Sequence, residues 1–365
     1  MIISKGEHAH MNTDIRNKRG FKPNLKAGII LMLLLIMVAG CSKAEQASTG
    51  ESTSAASEST ESTNGTSSSD SEANNTETRT VEGIKGPVDI PAEPKRIAGL
   101  TYAYADHLVA LGMKPYAMVT QVGQEMPAYL KDKLEGVVPL GSVNEFNKEA
   151  LLDTEPDLIL SNEVLVDEYD AISAIGPVYM SSYFSNSLEW FKDTAKVLGK
   201  EKEADEIVDQ LYQKAKDLGT KVAASDAADD TILIFRLTDK QIQVFAPSDK
   251  SPNAFYSPNL LYDIAGLHAP DLAKAGIVMN EVIENVSLEL LPELNPDRIF
   301  MIISGSETDN EQALTKLRDN AVWKGLKAVK SDQVYMVDNT VWVAGFGPIA
   351  YGQVLDEVEQ ALLGN

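Results

Sequence analysis

From Lys95 onward, short apolar runs alternate with longer segments in which apolar residues recur at helical spacing. In the first half of this region the apolar runs read RIAGL, PYAMV, GVVPL, PDLILS and PVYMSS. The helical patterns between them read YADHLVALG, MPAYLKDKL, KEALLDTE and VDEYDAISAIG. Strands and helices that alternate at this pace predict a parallel α/β sheet. We therefore expect an N-terminal α/β lobe over residues 81–184.

Residues 185–224 carry a different pattern, which predicts a linking helix. Asn186, with Glu189 three residues later, is typical of a helix start, and Gly199 interrupts the segment. Beyond Gly199, apolar residues recur at helical spacing as far as Val222. About 22 residues at about 1.5 Å each give a rod roughly 33 Å long, comparable to the diameter of a lobe. We interpret this rod as a strut between two lobes.

The alternating pattern returns over residues 225–365, and one unit of it repeats a unit of the first half. The segment NKEALLDTEPDLIL, residues 147–160, aligns without a gap with SLELLPELNPDRIF, residues 287–300. Each copy reads as a capped helix followed by Pro, Asp and a buried strand. We therefore expect a C-terminal α/β lobe that shares this unit with the first. The identical pairs, offset by 140 residues, are Glu149 and Glu289, Leu151 and Leu291, Pro156 and Pro296, Asp157 and Asp297, and Ile159 and Ile299.

The N-terminal part of the chain predicts export and anchoring. A basic stretch ending at Lys26 precedes AGIILMLLLIMVA, which is too short to span a bilayer and typical of a signal-peptide core. The run ends in Val-Ala-Gly-Cys41, which resembles the lipobox of bacterial lipoproteins. We expect a signal peptide over residues 1–40, with Met1 or Met11 as its start, and a lipidated Cys41; a buried thiol after a membrane anchor is the alternative. Residues 41–80, rich in Ser, Thr and Glu, predict a disordered tether.

Charge and cysteine content narrow the range of partners. The formal net charge is −22 over 365 residues, and hydrophobic residues make up 44% of the chain. A chain of this length favours two lobes of roughly 100 to 150 residues each. The acidic balance argues against nucleic acid as a partner, because phosphate binding needs a basic surface. Cys41 is the only cysteine, so neither a disulfide nor a cysteine zinc site is available.

Four segments carry a resemblance to a known family: PKRIAGLTYAYADHLVALG, LGSVNEFNKEALLDTEPDLILS, VSLELLPELNPDRIFMI and DNTVWVAGFGPIAYGQVLDEV. From about Val81 to Leu363 the chain resembles a substrate-binding lipoprotein of an ABC importer, of the helical-backbone class with two α/β lobes. It is most similar to the branch that captures ferric siderophores. The resemblance implies a ligand in the cleft between the lobes, little hinge motion, and docking of the lobes on two permease subunits at the outer face of the cytoplasmic membrane.

The resemblance also implies a role for the repeated glutamates. In the family, one exposed Glu on each lobe meets arginines of the transporter, and Glu149 and Glu289 match those positions. A structural explanation is compatible with this role. Asn147 and Ser287 are typical N-caps, and the helix dipole favours an acid in the first turn by about 0.3 to 1 kcal/mol.

Candidate ligand contacts follow from the position of the strands. In open α/β sheets, ligands bind beyond the carboxyl ends of the strands. Amides, phenols and flat rings there suit a bulky amphipathic ligand. Two alternatives stay open: Tyr104 could pack inward from the first turn of its helix, and Trp342 could cover the core before the last helix. The nominated residues are Tyr102, Tyr104, Gln121, Gln124, Asn144, Asn162 and Tyr183 in the first lobe, and Arg236, Phe255, Ser304, Trp342 and Phe346 in the second.

The predicted ligand is a ferric siderophore of the hydroxamate type. A lone Arg236 closing an apolar strand needs an anion, and the resemblance implies a hydroxamate or carboxylate oxygen. A tris-catecholate would need several cations, whereas only Arg236 and Lys240 are placed for that role. The siderophore supplies all six iron ligands, so no protein metal site or cofactor is expected. His107 and His268 are isolated and read as structural or solvent-facing.

Other classes of function remain as alternatives. The segment GFGPIAYG is glycine-rich at a helix start, but Pro348 lacks the amide that would cradle a phosphate. GxSxG and HExxH sequences do not occur, so we predict a protein that is not an enzyme. Within transport, a corrinoid or haem is the runner-up ligand. A surface sensor or adhesin would fit the anchor equally well but needs no duplicated lobes. We expect a monomer.

Overall fold

The computed structural model describes residues 77–120, 126–182, 186–237, 242–249, 256–279, 283–303 and 307–364. Within these ranges the chain forms two α/β lobes joined by a long helix. The strands are β1 (Thr78–Gly83), β2 (Gly86–Pro91), β3 (Ile97–Gly99), β4 (Ala117–Thr120), β5 (Val138–Ser142), β6 (Glu145–Phe146), β7 (Leu158–Asn162), β8 (Val178–Ser181), β9 (Ile232–Leu237), β10 (Ile242–Phe245), β11 (Ile283–Val286), β12 (Arg298–Ile303) and β13 (Val334–Asp338). The α-helices are α1 (Ala103–Ala110), α2 (Lys148–Asp153), α3 (Tyr169–Ser173), α4 (Ser187–Val197), α5 (Glu201–Ala223), α6 (Ser257–Asn259), α7 (Leu291–Leu294), α8 (Glu307–Asp319), α9 (Ala321–Gly325), α10 (Lys327–Lys330), α11 (Asn339–Trp342) and α12 (Pro348–Leu363). Short 3-10 segments span Ala128–Lys133, Glu163–Glu168 and Leu288–Leu290, and a π-helical turn spans Leu260–Ile264.

The N-terminal sheet has the strand order β6-β5-β4-β3-β7-β8. All of these strands run parallel except β6, which is paired antiparallel with β5. The chain proceeds from β3 to one side through β4 and β5, and later returns to the other side of β3 with β7. Strand order therefore reverses at β3 and β7, which is where ligands bind in open α/β sheets.

The C-terminal sheet repeats this arrangement with the order β11-β10-β9-β12-β13. Again one described strand, β10, runs against the others. The chain leaves β9 to one side through β10 and returns to the other side with β12. The reversal lies between β9 and β12, so each lobe has one equivalent point for ligand binding.

The linking helix α5 packs into a core that both lobes share. It is 23 residues long, or about 34 Å at about 1.5 Å per residue. One buried cluster combines Val208 and Leu218 of this helix with Leu160 of the N-terminal sheet and with Ile234 and Phe300 of the C-terminal sheet. All of these residues belong to one compact unit. The helix is therefore fixed along its length and does not act as a free hinge.

The sequence repeat corresponds to a repeated structural device. Asp157 accepts hydrogen bonds from the backbone N–H groups of Lys95 and Arg96, at 2.7 and 2.8 Å. Asp297 accepts one from the backbone N–H of Thr231 at 2.8 Å. In both lobes the aspartate at the start of one strand thus holds the chain that enters the neighbouring central strand.

One element before Lys95 was not predicted. Strands β1 and β2 form an antiparallel hairpin whose turn residue Ile84 donates its N–H to the Met180 carbonyl at 2.9 Å. Strand β1 begins at Thr78, three residues before the predicted start of the lobe at residue 81. Alternate residues of this strand are exposed, so its composition is as polar as that of a tether. In the described part of the chain, no helix combines the length and apolarity needed to cross a membrane.

Candidate functional site

The two lobes meet at an aromatic contact between predicted residues. Tyr102 follows the central strand β3, and Phe346 lies in the loop between α11 and α12. Their rings stack with centroids 5.8 Å apart and an angle of 27°. Both side chains remain partly exposed. The pair therefore forms a wall to which each lobe contributes one ring.

Arg236 lies beside this wall, near the end of the other central strand, β9. Its Nε–H donates to Gln243 Oε1 at 2.6 Å. Burial lowers the pKa of Arg236, and the nearby Tyr256 and Tyr102 phenol groups oppose that shift. Among the described residues no carboxylate pairs with its guanidinium. The site therefore presents a half-buried cation between two tyrosines, which suits an anionic or strongly polarised oxygen of a ligand.

Two further residues, Tyr256 and Gln243, which the sequence did not nominate, belong to the site, and the buried Trp190 lies next to it. The Tyr256 ring lies 5.9 Å from that of Phe346, and Trp190 of α4 lies 6.4 Å from it. Gln243 is opposite Arg236 on β10. Strand alternation in IQVF could have found Gln243, because its neighbours Ile242 and Val244 face the opposite, buried side.

Two nominated residues are core residues, so their predicted ligand contacts are withdrawn. Tyr104 is 1% exposed, and its hydroxyl donates to the Ser161 carbonyl at 2.8 Å. Trp342 is 0% exposed, stacks on Phe300 at 5.1 Å, and donates its indole N–H to Glu357 at 2.6 Å. In both cases the structural alternative is correct, because the polar atom of the ring already has its partner inside the protein.

The two nominated amides in the described ranges, Asn144 and Asn162, have other settings. Asn144 is exposed in the turn between β5 and β6, at the edge of its sheet. Asn162 caps a 3-10 segment, where its side-chain oxygen accepts the N–H of Val164 at 3.2 Å. Several other nominations lie outside the described residues and stay predictions: Gln121, Gln124, Tyr183, Lys240, Phe255, Ser304 and the lipidation site Cys41.

The repeated glutamates occupy equivalent, exposed positions. Asn147 Oδ1 accepts the N–H of Glu149 at 3.0 Å, and Ser287 Oγ accepts that of Glu289 at 3.3 Å. Both residues are thus in the first turn of a capped helix, as the structural explanation predicts. Their carboxylates form no hydrogen bond or ion pair with residues of the described ranges. They remain available to a partner.

Two cavities lie in the lobes, away from the aromatic wall. One of about 530 Å³ is in the C-terminal lobe and one of about 730 Å³ is in the N-terminal lobe. Neither contains a described residue of the Arg236 site. In the described ranges, no three His, Cys, Asp or Glu side chains are grouped as a metal site. The first cavity is lined by residues that include Pro247, His268, Leu272 and Met279, and the second by Thr120, Lys131, Leu134 and Pro139.

Comparison with known proteins places this arrangement in a family. The sequence profile of the periplasmic binding proteins matches residues 97–341, which contain both sheets and the linking helix. The chain belongs to the periplasmic binding protein family. As a periplasmic binding protein it binds a solute and is not an enzyme, which confirms the prediction on that point.

Two curated relatives of this periplasmic binding protein match along almost their whole length. It is 30% identical over 351 residues to the probable siderophore-binding lipoprotein YfiY of Bacillus subtilis, with 94% of this chain and 99% of the relative covered. It is 29% identical over 349 residues to the iron(3+)-hydroxamate-binding protein YxeB of the same organism, with 94% and 97% covered.

A solved structure shows the same fold. The triscatecholate siderophore-binding protein FeuA of Bacillus subtilis, complexed with ferri-bacillibactin, is 30% identical and superimposes with a TM-score of 0.62. The alignment covers 79% of this chain and 99% of that one. The predicted family and the predicted class, two mostly parallel α/β lobes joined by one long helix, are both confirmed.

Proposed function

We propose that this periplasmic binding protein captures a ferric siderophore between its lobes, preferentially one of the hydroxamate type, and delivers it to an ABC importer for iron uptake. The observation that carries the proposal is the half-buried Arg236 guanidinium beside an aromatic wall shared by both lobes. The names of the relatives agree on the ligand class, since each is described as a siderophore- or iron-hydroxamate-binding protein.

Charge supports hydroxamate over catecholate. The relatives do not decide this point, because proteins named for hydroxamate and for triscatecholate binding are equally similar to the chain. A ferric tris-catecholate carries about three negative charges and favours several converging cations. Within the described part of the cleft, Arg236 is the cation that the geometry provides. A neutral or cationic ferric hydroxamate, which needs one strong donor and flat apolar surfaces, fits this set better.

The iron does not need protein ligands in this proposal. Ferric iron is a hard ion that prefers oxygen ligands, and the siderophore supplies them. The rings of Tyr102, Tyr256 and Phe346 cover the organic shell, while Arg236 donates to a polarised oxygen of the complex. Selectivity then arises from the shape and charge of the whole complex, because the metal is enclosed by its chelator.

Delivery requires the membrane and a transporter. Lipidation at Cys41 would hold the protein at the outer face of the cytoplasmic membrane, with residues 42–76 as a tether. The exposed carboxylates of Glu149 and Glu289, one on each lobe, would then dock on the two permease subunits. Their exposure and equivalent positions support this role.

Fluorescence titration of the purified full chain in detergent tests the proposed ligand. The ligands are a neutral ferric tris-hydroxamate, ferric bacillibactin as a tris-catecholate, and cobalamin. We expect saturable quenching with tightest binding for the hydroxamate, and most of this signal should disappear in Trp190→Phe, because Trp190 lies beside the Phe346 ring. Tighter binding of the catecholate would reverse the preference, and quenching by cobalamin alone would overturn the assignment to iron.

A further inference from the structure

The Phe346 loop of the C-terminal lobe is held by an aspartate of the N-terminal lobe. Asp106 Oδ1 accepts the backbone N–H of Ile349 at 3.0 Å, and Oδ2 accepts that of Ala350 at 2.9 Å. Tyr129 donates its hydroxyl to Oδ2 at 3.0 Å. Asp106 is 0% exposed. A buried carboxylate from helix α1 therefore satisfies the free N–H groups at the start of helix α12 in the other lobe.

The neighbouring histidine binds the same loop at its centre. His107 is 0% exposed, and its Nε2 lies 3.0 Å from the carbonyl oxygen of Phe346. A carbonyl only accepts, so Nε2 carries the proton. Nδ1 lies 3.0 Å from Thr194 Oγ1 on α4, so the ring is fixed at both nitrogens. His107 thus binds the backbone immediately before Gly347, and Asp106 binds it two and three residues after Gly347.

Gly347 shows how closely the two lobes approach at this point. A Cβ atom placed on it would lie 2.2 Å from Asp106 Oδ1, and its three nearest neighbours would all be atoms of Asp106. The φ angle of Gly347 is −141°, which any residue can adopt. Glycine is therefore needed here to admit the Asp106 carboxylate and not for its backbone conformation.

We propose that Asp106 and His107 are positioning residues for ligand capture, which hold the Phe346 loop against the N-terminal lobe and so form the Tyr102 and Phe346 wall before the ligand arrives. This inference rests on the proposed function, because the position of Phe346 matters only if the ligand binds at that wall. The linking helix keeps the lobes together, whereas these hydrogen bonds determine the shape of the surface that they present. A preformed wall favours binding, because affinity falls in proportion to the population of the competent conformation.

Affinity measurements on paired variants test the proposal. Asp157→Asn is the matched control for Asp106→Asn, since both aspartates accept two backbone N–H groups and lie in the same lobe, but Asp157 is remote from the wall. If the held loop falls to about a tenth of the population, we expect Asp106→Asn and His107→Leu to raise the Kd of the preferred ferric siderophore about tenfold. Asp157→Asn should leave that Kd within about twofold. Equal Kd values for all three variants and the wild type would show that Asp106 and His107 are merely structural.

A second test remains informative if Asp106→Asn folds poorly. Gly347→Ala should raise the Kd about tenfold in the wild-type chain, because the methyl group displaces the Asp106 carboxylate. In an Asp106→Ala background, which makes room for that methyl group, Gly347→Ala should change the Kd by less than about twofold. A full effect in both backgrounds would contradict the proposal.

The wild-type titration separates the two levels of inference. If the wild type binds a ferric siderophore and the Asp106, His107 and Gly347 variants bind it equally well, only the positioning role is wrong. If the wild type binds none of the ligands tested, the proposed function fails and the positioning role fails with it.

Discussion

Side chains on the neighbouring strands determine how Arg236 is held. On its own strand it interrupts a run of buried apolar residues. The adjacent strands place Gln243 and then Asn285 in line with it, and Gln243 donates its amide N–H to Asn285 at 3.1 Å. Because the Gln243 amide nitrogen is bonded to Asn285, the Gln243 amide oxygen points toward Arg236 and accepts its Nε–H. The guanidinium is therefore held at Nε by Gln243.

Removing the cation should weaken binding without unfolding the protein. A hydrogen bond to a charged group contributes about 1.5 to 3 kcal/mol, so we expect Arg236→Met to raise the Kd of the ferric siderophore about 10- to 100-fold. Gln243→Glu should weaken binding of an anionic ferric complex more than that of a neutral one, since the new carboxylate would neutralise the guanidinium. Fluorescence titration measures both effects, and an unchanged Kd in Arg236→Met would remove Arg236 from the site.

His107 predicts a specific pH dependence of stability. Burial lowers its pKa from 6.5 to about 4, so at neutral pH the ring is uncharged. As the pH falls from about 6.5 to 4 the unfolded chain takes up a proton that the folded chain does not, and the stability associated with His107 is lost. The adjacent residue in the sequence, Asp106, has the opposite dependence, because burial raises its pKa to about 6.

Comparing the wild type with a His107 variant separates the contribution of His107 to stability from that of Asp106. The wild type should exceed His107→Gln in free energy of unfolding at pH 7, and this advantage should shrink by up to about 3 kcal/mol as the pH falls to 4. Asp106 is present in both proteins, so its contribution largely cancels. Urea unfolding at several pH values provides the measurement, and a difference that is independent of pH would contradict the buried, neutral state of His107.

At the scale of elements, the repeated unit ends its helix in the same unusual conformation in both lobes. Glu155 and Asn295, which are 140 residues apart, both have positive φ, at 40° and 33°. Each is followed by Pro and Asp and then by a central strand. Asn adopts this left-handed conformation with little cost, whereas Glu does so at about 1 to 2 kcal/mol. The N-terminal copy of the unit is therefore strained.

Replacing the strained residue should stabilise the N-terminal lobe. Glu155 also pairs with Arg96 at 3.3 Å, but its side chain is 80% exposed and such a pair contributes little. Glu155→Gln loses the pair and keeps the strain, so it is the control for Glu155→Asn. We expect Glu155→Asn to be about 1 kcal/mol more stable than Glu155→Gln in urea unfolding. Equal stability would show that the backbone at this position is not strained.

The linking helix makes one contact that depends on glycine. A Cβ on Gly219 would lie 1.9 Å from the carbonyl oxygen of Ala265, so α5 approaches the C-terminal lobe backbone closely there. Gly352 of α12 is the control, since a Cβ on it would have no neighbour within 4 Å. In thermal or urea unfolding, Gly219→Ala should destabilise the protein by about 1 to 3 kcal/mol, whereas Gly352→Ala should stabilise it by about 0.5 to 1 kcal/mol. A stabilising Gly219→Ala would show that this contact is not tight.

At the scale of the whole molecule, the duplicated lobes present equivalent surfaces to a partner. Glu149 and Glu289 begin equivalent helices, and both are exposed. Four residues further along, Asp153 and Glu293 occupy a second equivalent and exposed pair of positions on the same two segments. The two pairs have the same charge and differ mainly in their place on the surface.

The docking role can therefore be tested with a matched control. Glu149→Ala with Glu289→Ala should abolish siderophore-dependent iron uptake by cells while leaving the Kd of the purified protein within about twofold, because neither residue belongs to the Arg236 site. Asp153→Ala with Glu293→Ala should leave uptake unchanged. Loss of uptake in both double variants would indicate a general charge effect, and unchanged uptake in the first would reject docking through these glutamates.

Sequence patterns were sufficient for the architecture because periodicity and caps are local properties. The period of apolar residues predicted the alternating elements, the strut and the repeated unit. Strand ends also suggested Tyr102, Arg236 and Phe346, which the fold brings close together. The same rule failed for Tyr104 and Trp342. Strand ends indicate where a residue lies along the chain but not whether its ring turns toward the core.

What the sequence by itself determined is therefore the family and the two-lobe fold, and the cleft at the strand ends stays a prediction. Only the tertiary structure decided that the rings of Tyr102, Tyr256 and Phe346 come together, that Gln243 pairs with Arg236, and that Asp106 and His107 bond to the backbone on either side of Gly347. These last contacts join residues about 240 positions apart, and no local pattern encodes a hydrogen bond between two lobes. Such contacts arise only when both lobes have folded and packed on the shared helix.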